Sequence, residues 1–467
     1  MEEAQAQVKV HTISTVAPTI PTERHSMFLS NLDLLWLPIN NVQRILFYTI
    51  SPENQYSSIV ESLKKSLSSV LVYFYPLAGR LDKGESGRPE IDCNDAGVEF
   101  LEASIDMPFS SLERDGFQYK PFFQNLVPKV HPLQDHNCST PFLSVQVTSF
   151  EEGGICIGTT LHHVIADGNS CWHFMKSWAE CSRGLPVSNP PLHCRTVFKL
   201  ENKKPIPISY KPHDVVINGI PGAQIYKFLP DDLQQNSEKT SAEQALELEV
   251  GIQKWLGHNT EPIYSTFCFT EKMIRDLKQQ NGTSSSFIAV AAQFWRCLTR
   301  AREVPDEEPV VFALLADCRS RVKPPLPKAY FGNCLSSGIV RTAAKTLLGN
   351  NLCFAASLIQ ELINFCTTEE QIKNTVDWLE SPDSGLAWLF HEFAGLCFTN
   401  VVSSHRFPVY EIDYGWGRPL NVQTASINEN GAMVLFAAKD DGGSIVVSTR
   451  LPKHQMEILT HLLSVPH

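Results

Sequence analysis

A chain of 467 residues exceeds what one hydrophobic core usually organises, so two or three domains are expected. The formal net charge is -11 and the basic residues are scattered, which excludes the electrostatic footprint of a nucleic-acid binder. The 13 cysteines are odd in number, contain no CxxC pair and mostly lie in apolar runs, as at Cys156, Cys268, Cys297 and Cys353, so reduced thiols are expected.

The acidic start, MEEAQAQVKV, resembles neither a secretory signal nor an Arg-rich transit peptide, and no stretch is long and apolar enough to span a bilayer. A cytoplasmic protein is expected, with the sequons at Asn137 and Asn281 as chance matches. Residues 8–16 read as a first strand, and the prolines at 18 and 21 carry the chain into LSNLDLLW at 29–36. Residues 45–48 read as a short buried strand. Ile59, Leu63, Ser66, Leu67 and Val70 recur at i, i+4, i+7, i+8 and i+11, which predicts an amphipathic helix over 57–72. Phe74-Tyr75-Pro76-Leu77-Ala78-Gly79-Arg80 stops that helix and turns the chain. Residues 89–92 and 98–101 are expected to pair as strands around Asp95-Ala96-Gly97.

Alternating Leu143, Val145 and Val147 make 142–150 an antiparallel partner of the next strand, across Glu151-Glu152-Gly153-Gly154. That strand, 155–161, puts Ile155, Ile157 and Thr159 on one face. The pattern breaks at His162, His163 and Asp167, in a turn closed by Gly168. Asn169 is the expected N-cap of a helix with Cys171, Met175, Trp178 and Ser182 on one face and Gly184 as its C-terminal glycine. A sheet thus presents His163 at its edge, anchored on both sides, as a general base requires. The same spacing also suits a hydrogen-bonded structural histidine or, with His162, two ligands of a metal. Only Asp167 stands at ligand spacing to complete such a metal set.

Pro186, Pro190, Pro191, Pro205, Pro207, Pro212 and Pro221 interrupt any periodicity over 186–222, so a surface crossover is expected to divide an amino-terminal lobe, 1–185, from a carboxy-terminal lobe, 223–467. Residues 231–249 are polar and acidic and carry no site. A strand over 263–269 and a helix capped by Thr270 and ended by Asn281-Gly282 follow. Thr283, Ser284, Ser285 and Ser286 then lead into a helix over 287–302, buried along Val290, Ala291, Phe294 and Leu298. Those hydroxyls suit either N-capping or phosphate binding at the orphan N–H groups. The apolar run 310–316 is expected as a central strand delivering Asp317-Cys318-Arg319. Leu352, Ala356, Ile359 and Ile363 mark another helix. Strands near 399–403, 433–438 and 444–448 precede a last helix from about Pro452. This order suits an α/β fold of two similar-sized lobes with mixed sheets. Neither GxGxxG nor GxxxxGK occurs.

HHVIADG at 162–168 resembles the HxxxD signature of the BAHD family, the plant acyl-CoA-dependent acyltransferases. Asp413-Tyr414-Gly415-Trp416-Gly417 resembles the second signature of that family, DFGWG. The two lie about 250 residues apart in the family's order, a far more specific coincidence than either motif alone. LSNLDLLW, YPLAGR and YFGNC at 330–334 resemble further family strings, so the likeness covers nearly the whole chain. WHFMKSWAE and SSHRFPVYE are closest to the subgroup with the cuticle-related acyltransferase and its salicylate-metabolism relatives.

The resemblance implies a chloramphenicol acetyltransferase-like fold with an active-site channel between its lobes, in a monomer without nucleic-acid or membrane partners. It implies no metal and no cofactor beyond acyl-CoA as co-substrate, with a small-molecule acceptor from specialised metabolism acylated on a hydroxyl or amine. His163 would be the general base, and direct attack would avoid an acyl-enzyme. Asp167 would serve geometry, paired with Arg319, and the 413–417 loop would lie away from the reacting centre. Tyr414 replaces the family's usual Phe and adds a hydroxyl that must find a partner. Ser284, Ser285 and Ser286 would contact the phosphates of coenzyme A. Hydroxycinnamoyl shikimate and quinate transferases carry Thr-x-Trp where this chain has Val402-Ser403-Ser404, so neither acceptor is expected. Two alternatives stand beside this reading: a carrier-protein-dependent condensation enzyme, and a family member with altered chemistry, a lyase or a binding protein.

Overall fold

The computed structural model describes residues 7–37, 42–51, 53, 55–85, 87–129, 139–199, 208–230, 262–379, 397–427, 429–439 and 442–464. The acidic stretch 231–249 and the sequon at Asn137 lie outside these residues. Asn281, the other sequon, is 4 % exposed and donates Nδ2 to Ala289 O at 3.3 Å, so it is a packed helix-end residue and no glycan acceptor. The chain forms two compact, discontinuous units. One comprises Met1–Lys199, Leu326–Cys334 and Phe407–Ser426; the other comprises Leu200–Pro325, Leu335–Arg406 and Ile427–His467.

The first unit holds β1 (Val8–Val16), β2 (His25–Phe28), β3 (Val42–Thr49), β4 (Arg80–Lys83), β5 (Pro89–Cys93), β6 (Val98–Pro108), β7 (Leu143–Glu151) and β8 (Gly154–Leu161). Its six-stranded sheet runs β1-β6-β7-β8-β3 and ends on a strand from far along the chain, Asn421–Gln423. Only β6 and β7 pair in parallel, so the sheet is mixed. The β7–β8 hairpin turns through Glu152 and Gly153, both at positive φ, the handedness that matches strand twist. Every residue of β8 is buried, because β7 and β3 flank it and both sheet faces are covered.

The two strands expected to pair around Asp95-Ala96-Gly97 do not pair. β5 joins β2 and β4 in a small antiparallel sheet, while β6 joins the large one. Asp95 and Gly97, both at positive φ, swing the chain from one sheet to the other. Helix α1 (Asn31–Leu34) is a single turn, α2 (Tyr56–Val70) realises the predicted stripe, and α3 (Phe109–Arg114) follows β6. Helix α4 (Gly168–Ser182) packs on α2, where Trp178 donates Nε1 to Ser66 Oγ at 3.1 Å.

The second unit holds β9 (Ile208–Ile217), β10 (Ile220–Pro230), β11 (Pro262–Phe269), β12 (Pro309–Asp317), β13 (Leu335–Ala343), β14 (Cys397–Asn400), β16 (Val434–Ala437) and β17 (Ile445–Pro452), with β15 being the Asn421–Gln423 strand of the first unit. A mixed five-stranded sheet runs β14-β12-β13-β10-β9, and β11-β17-β16 form a second, antiparallel sheet. β12 is interior, as its apolar run predicts. β9 falls inside the stretch read as a surface crossover. Pro212 is tolerated there because β9 is an edge strand, and Pro221 sits where the β9–β10 register slips. Helices α5 (Glu271–Asn281) and α6 (Ser286–Ala301) have the predicted caps, Thr270 and Gly282 on α5, with α6 almost wholly buried. Its core is shared with α8 (Leu352–Cys366) and with α10 (Lys453–Ser464), while α7 (Ala344–Gly349) and α9 (Glu369–Trp378) complete the helices. Among the described residues no helix is long and apolar enough to cross a membrane.

Candidate active site

β8 delivers its last residues into a turn whose every arm is tied down. His162 N donates to Phe142 O at 2.8 Å, the last rung beside β7, and Ile165 N donates to His162 O at 3.1 Å. Asp167, not Asn169, is the N-cap of α4: its backbone is extended and its Oδ1 accepts from Ser170 N at 2.9 Å. The other oxygen, Oδ2, accepts from Cys334 N at 3.0 Å, so the aspartate joins the turn to the 330–334 segment while capping the helix. At the far end of α4, Leu185 N reaches Glu180 O and Gly184 N reaches Cys181 O, both at 3.0 Å, a Schellman closure that uses the positive φ of Gly184.

His163 lies between two partners. Its Nδ1 is 3.1 Å from Asn333 Oδ1, and its ring stacks on Trp36 with centroids 4.0 Å apart and planes inclined by 14°. Asn333 is fully buried and its amide is oriented: Nδ2 donates to Asp33 Oδ1 at 3.0 Å and to His163 O at 2.9 Å. The carbonyl side therefore faces the imidazole, which makes His163 Nδ1 the donor and leaves the lone pair on Nε2. Asp33 closes a capping box with Ser30 at the start of α1. It also lies 2.7 Å from Arg195 Nη1, an ion pair whose N–H does not aim along the contact, and Arg195 Nη2 donates to Ile165 O at 2.7 Å.

Burial lowers the pKa of His163 below the ordinary imidazole value, against the opposing pull of its own backbone carbonyl, the Asp167 carboxylate and the Asn333 contact. His162 is pushed down to about 4, first by burial and then by His163. Both rings are thus neutral near neutral pH. Among the described residues no group of His, Cys, Asp and Glu is arranged to hold a metal ion.

The sequence model of the Transferase family matches residues 6–464, and the chain is 32 % identical to the BAHD acyltransferase DCR of Arabidopsis thaliana, over 97 % of this chain and 91 % of that one. The chain belongs to the BAHD family of acyl-CoA-dependent acyltransferases. It is also 30 % identical to a hydroxycinnamoyltransferase of Narcissus pseudonarcissus, over 96 % of this chain and 97 % of the relative. The crystal structure of F. graminearum TRI101 complexed with coenzyme A and deoxynivalenol is similar in fold, with a TM-score of 0.72 at 16 % identity, covering 94 % of this chain and 97 % of that one.

In this BAHD chain the second signature is also a packing device. Asp413 Oδ1 accepts from Gly415 N at 2.8 Å and Gly417 N at 2.9 Å, folding the loop over two glycines at positive φ. Tyr414 then packs edge-on against Trp178 of α4 at 4.9 Å, and Ser182 Oγ holds Tyr414 O at 2.8 Å. Although it lies late in the sequence, this loop belongs to the first unit, where β15 pairs with β3. Arg319 and residues 284–286 belong to the second unit. Arg319 is buried and its Nη1 meets Asp317 Oδ1 at 3.1 Å, while Ser285 caps α6 by accepting from Ile288 N at 3.3 Å.

Motif reading gives no role to Trp36, Asn333, Asp33 or Arg195. The first three stand inside the LSNLDLLW and YFGNC strings, whose likeness is visible without their contacts. Arg195 stands in the stretch read as surface, yet it is 1 % exposed in a 3₁₀ turn, Arg195–Phe198. Its proline-rich surroundings have no periodicity that would reveal burial.

Proposed function

We propose that in this acyl-CoA-dependent acyltransferase of plant metabolites His163 Nε2 is the general base of the transfer. The Nδ1 contact to Asn333 Oδ1 at 3.1 Å carries the reading, because it puts the ring proton on the nitrogen turned away from the chemistry. As the acceptor hydroxyl or amine attacks the thioester carbonyl, Nε2 takes its proton. When the tetrahedral adduct collapses, the carbon–sulfur bond breaks and the departing thiolate receives that proton. The base returns to its starting state, and no acyl-enzyme forms. The thiol of Cys171, in the first turn of α4, fits direct attack, since burial pushes its pKa up to about 11 and leaves it protonated.

Asp167 acts as a positioning residue, its two oxygens engaged by Ser170 N and Cys334 N. Ser284, Ser285 and Ser286 are the proposed contacts of the coenzyme A phosphates, with Ser285 already engaged as a cap. The acceptor is a small metabolite other than shikimate or quinate, and the protein is a cytoplasmic monomer.

The test is release of free thiol from a panel of acetyl, malonyl, benzoyl, hydroxycinnamoyl and long-chain thioesters, with a plant metabolite extract and mass detection of the product. His163→Ala should fold and lower kcat by roughly 10² to 10⁴. Undiminished thiol release by that variant would remove His163 from the chemistry. Parallel double-reciprocal lines would replace direct attack with an acyl-enzyme.

A further inference from the structure

We propose that Asp33, held by Arg195, sets the tautomer of His163 through Asn333 and is therefore a positioning residue for acyl transfer. The inference rests on His163 acting as base through Nε2. A primary amide can turn either end toward an imidazole. If Asn333 presented its NH₂ group, Nδ1 would face a donor and only the backbone carbonyl of His163 would still hold its proton, so the balance would shift toward the Nε2–H form, which abolishes the base.

Asp33 decides between the two. Its Oδ1 receives Asn333 N at 2.9 Å and Nδ2 at 3.0 Å, so residue 333 is gripped by backbone and side chain at one oxygen. A carboxylate oxygen only accepts. Turning the Asn333 amide over would set its carbonyl against that oxygen and lose the bond from Nδ2 to His163 O at 2.9 Å. Both Asp33 and Asn333 are fully buried, so water cannot make good the loss.

The carboxylate is itself fixed on every side. Oδ2 accepts from Ser30 N at 3.0 Å and from Ser30 Oγ at 2.6 Å, and Arg195 Nη1 supplies the countercharge at 2.7 Å. Arg195 then donates Nη2 to Ile165 O at 2.7 Å, in the turn that bears His163. One buried ion pair thereby controls both the backbone of the turn and, through Asn333, the face that the imidazole shows to its substrate. A second-sphere group that orients a working histidine is a general device; here an amide stands between the carboxylate and the ring, so no negative charge touches Nδ1.

The experiment compares Asp33→Asn with the parent enzyme in a ¹⁵N-histidine-labelled protein, the His163 signals being assigned by their loss in His163→Ala. In the parent, Nδ1 carries the proton. Asp33→Asn can present an NH₂ group to Asn333 and so permits the flipped amide. It should shift the ring toward the Nε2–H form and lower kcat roughly 10- to 100-fold with KM for the thioester nearly unchanged. A purely structural aspartate would lower thermal stability and kcat together without moving the ring proton, and that result overturns the inference. A moved proton with unchanged kcat overturns it equally.

Should Asp33→Asn not fold, Asn333→Ala and Asn333→Asp carry the same test. Alanine removes the acceptor and should release the tautomer. Aspartate offers Nδ1 an acceptor in either orientation and should keep the proton there, although its second oxygen opposes Asp33 Oδ1 and lowers stability. Identical ring tautomers in the two would sink the proposal. His163→Ala, assayed alongside, separates this outcome from failure of the base itself, which would show as undiminished turnover without the imidazole.

Discussion

The imidazole of His163 and the indole of Trp36 lie face to face, 4.0 Å between centroids, so one broad apolar surface shields the ring that Asn333 orients from its edge. Trp36 is 7 % exposed, and burial is the main force that lowers the pKa of His163. Trp36→Ala should therefore hydrate the imidazole and raise its pKa toward the ordinary value. The acid limb of kcat/KM should move to higher pH, with a loss of stability of roughly 3–5 kcal/mol. Trp36→Phe should lie between the two. An acid limb that stays put in Trp36→Ala would show that the indole does not shield the base.

In the parent enzyme the acid limb of kcat/KM should fall below the ordinary imidazole value of about 6.5, because only the neutral ring accepts a proton. Stability follows the same sign. Burial holds His162 and His193 down to about 4, so below the unfolded value the unfolded chain binds more protons than the native one. Stability is full above about pH 6.5 and is lost as pH falls toward about 4. Urea titrations at steps between pH 7.5 and 4.5 should show this decline, and His193→Gln should flatten it. A decline unchanged in that variant would remove His193 from the account and leave His162 and the carboxylates as its sources.

Asp167→Ala removes a helix cap, about 1 kcal/mol, and leaves Cys334 N without its charged acceptor, about 1.5–3 kcal/mol. The sum should appear as roughly 2.5–4 kcal/mol in denaturant unfolding. Activity should fall as well, since Cys334, whose N–H the carboxylate anchors, adjoins Asn333, the partner of His163. Full turnover in folded Asp167→Ala would confine the residue to stability.

Local pattern identifies what local forces decide. The β7–β8 hairpin follows from two glycines and the alternation before them, and the Schellman end of α4 follows from Gly184. The N-cap of α4 shows where that reasoning stops. Asp167 and Asn169 are both good caps, and what selects Asp167 is Cys334 N docking on its second oxygen, a contact spanning 167 residues of sequence. The surroundings of His163 are of the same kind. Trp36 and Asn333 meet it from either side of the chain, and no periodicity links positions whose only common property is that they converge in space. The two strands around Asp95-Ala96-Gly97 part company for a related reason: the turn residues are recognisable, but which sheet receives each strand depends on partners elsewhere.

Tyr414 offers a test in which the sign of the effect is the result. Its ring is 1 % exposed, edge-on to Trp178 at 4.9 Å and stacked on Trp416 at 5.8 Å, and its hydroxyl has no hydrogen-bond partner among the described residues. In the unfolded chain water satisfies that hydroxyl, so folding carries the desolvation penalty of one polar group, about 1–3 kcal/mol. Tyr414→Phe keeps every ring contact and removes the penalty. It should stabilise the protein by roughly 1–2 kcal/mol and leave kcat unchanged, because Ser182 Oγ holds the backbone carbonyl of Tyr414, which the substitution does not touch. Tyr414→Ala, which empties the cluster, should instead destabilise by roughly 3–5 kcal/mol. Most substitutions destabilise, so a rise in the urea midpoint for Tyr414→Phe would point directly to relief of the buried hydroxyl. A fall would mean that a bound water satisfies the hydroxyl, and that the tyrosine is part of the loop's hydrogen bonding and not only of its packing.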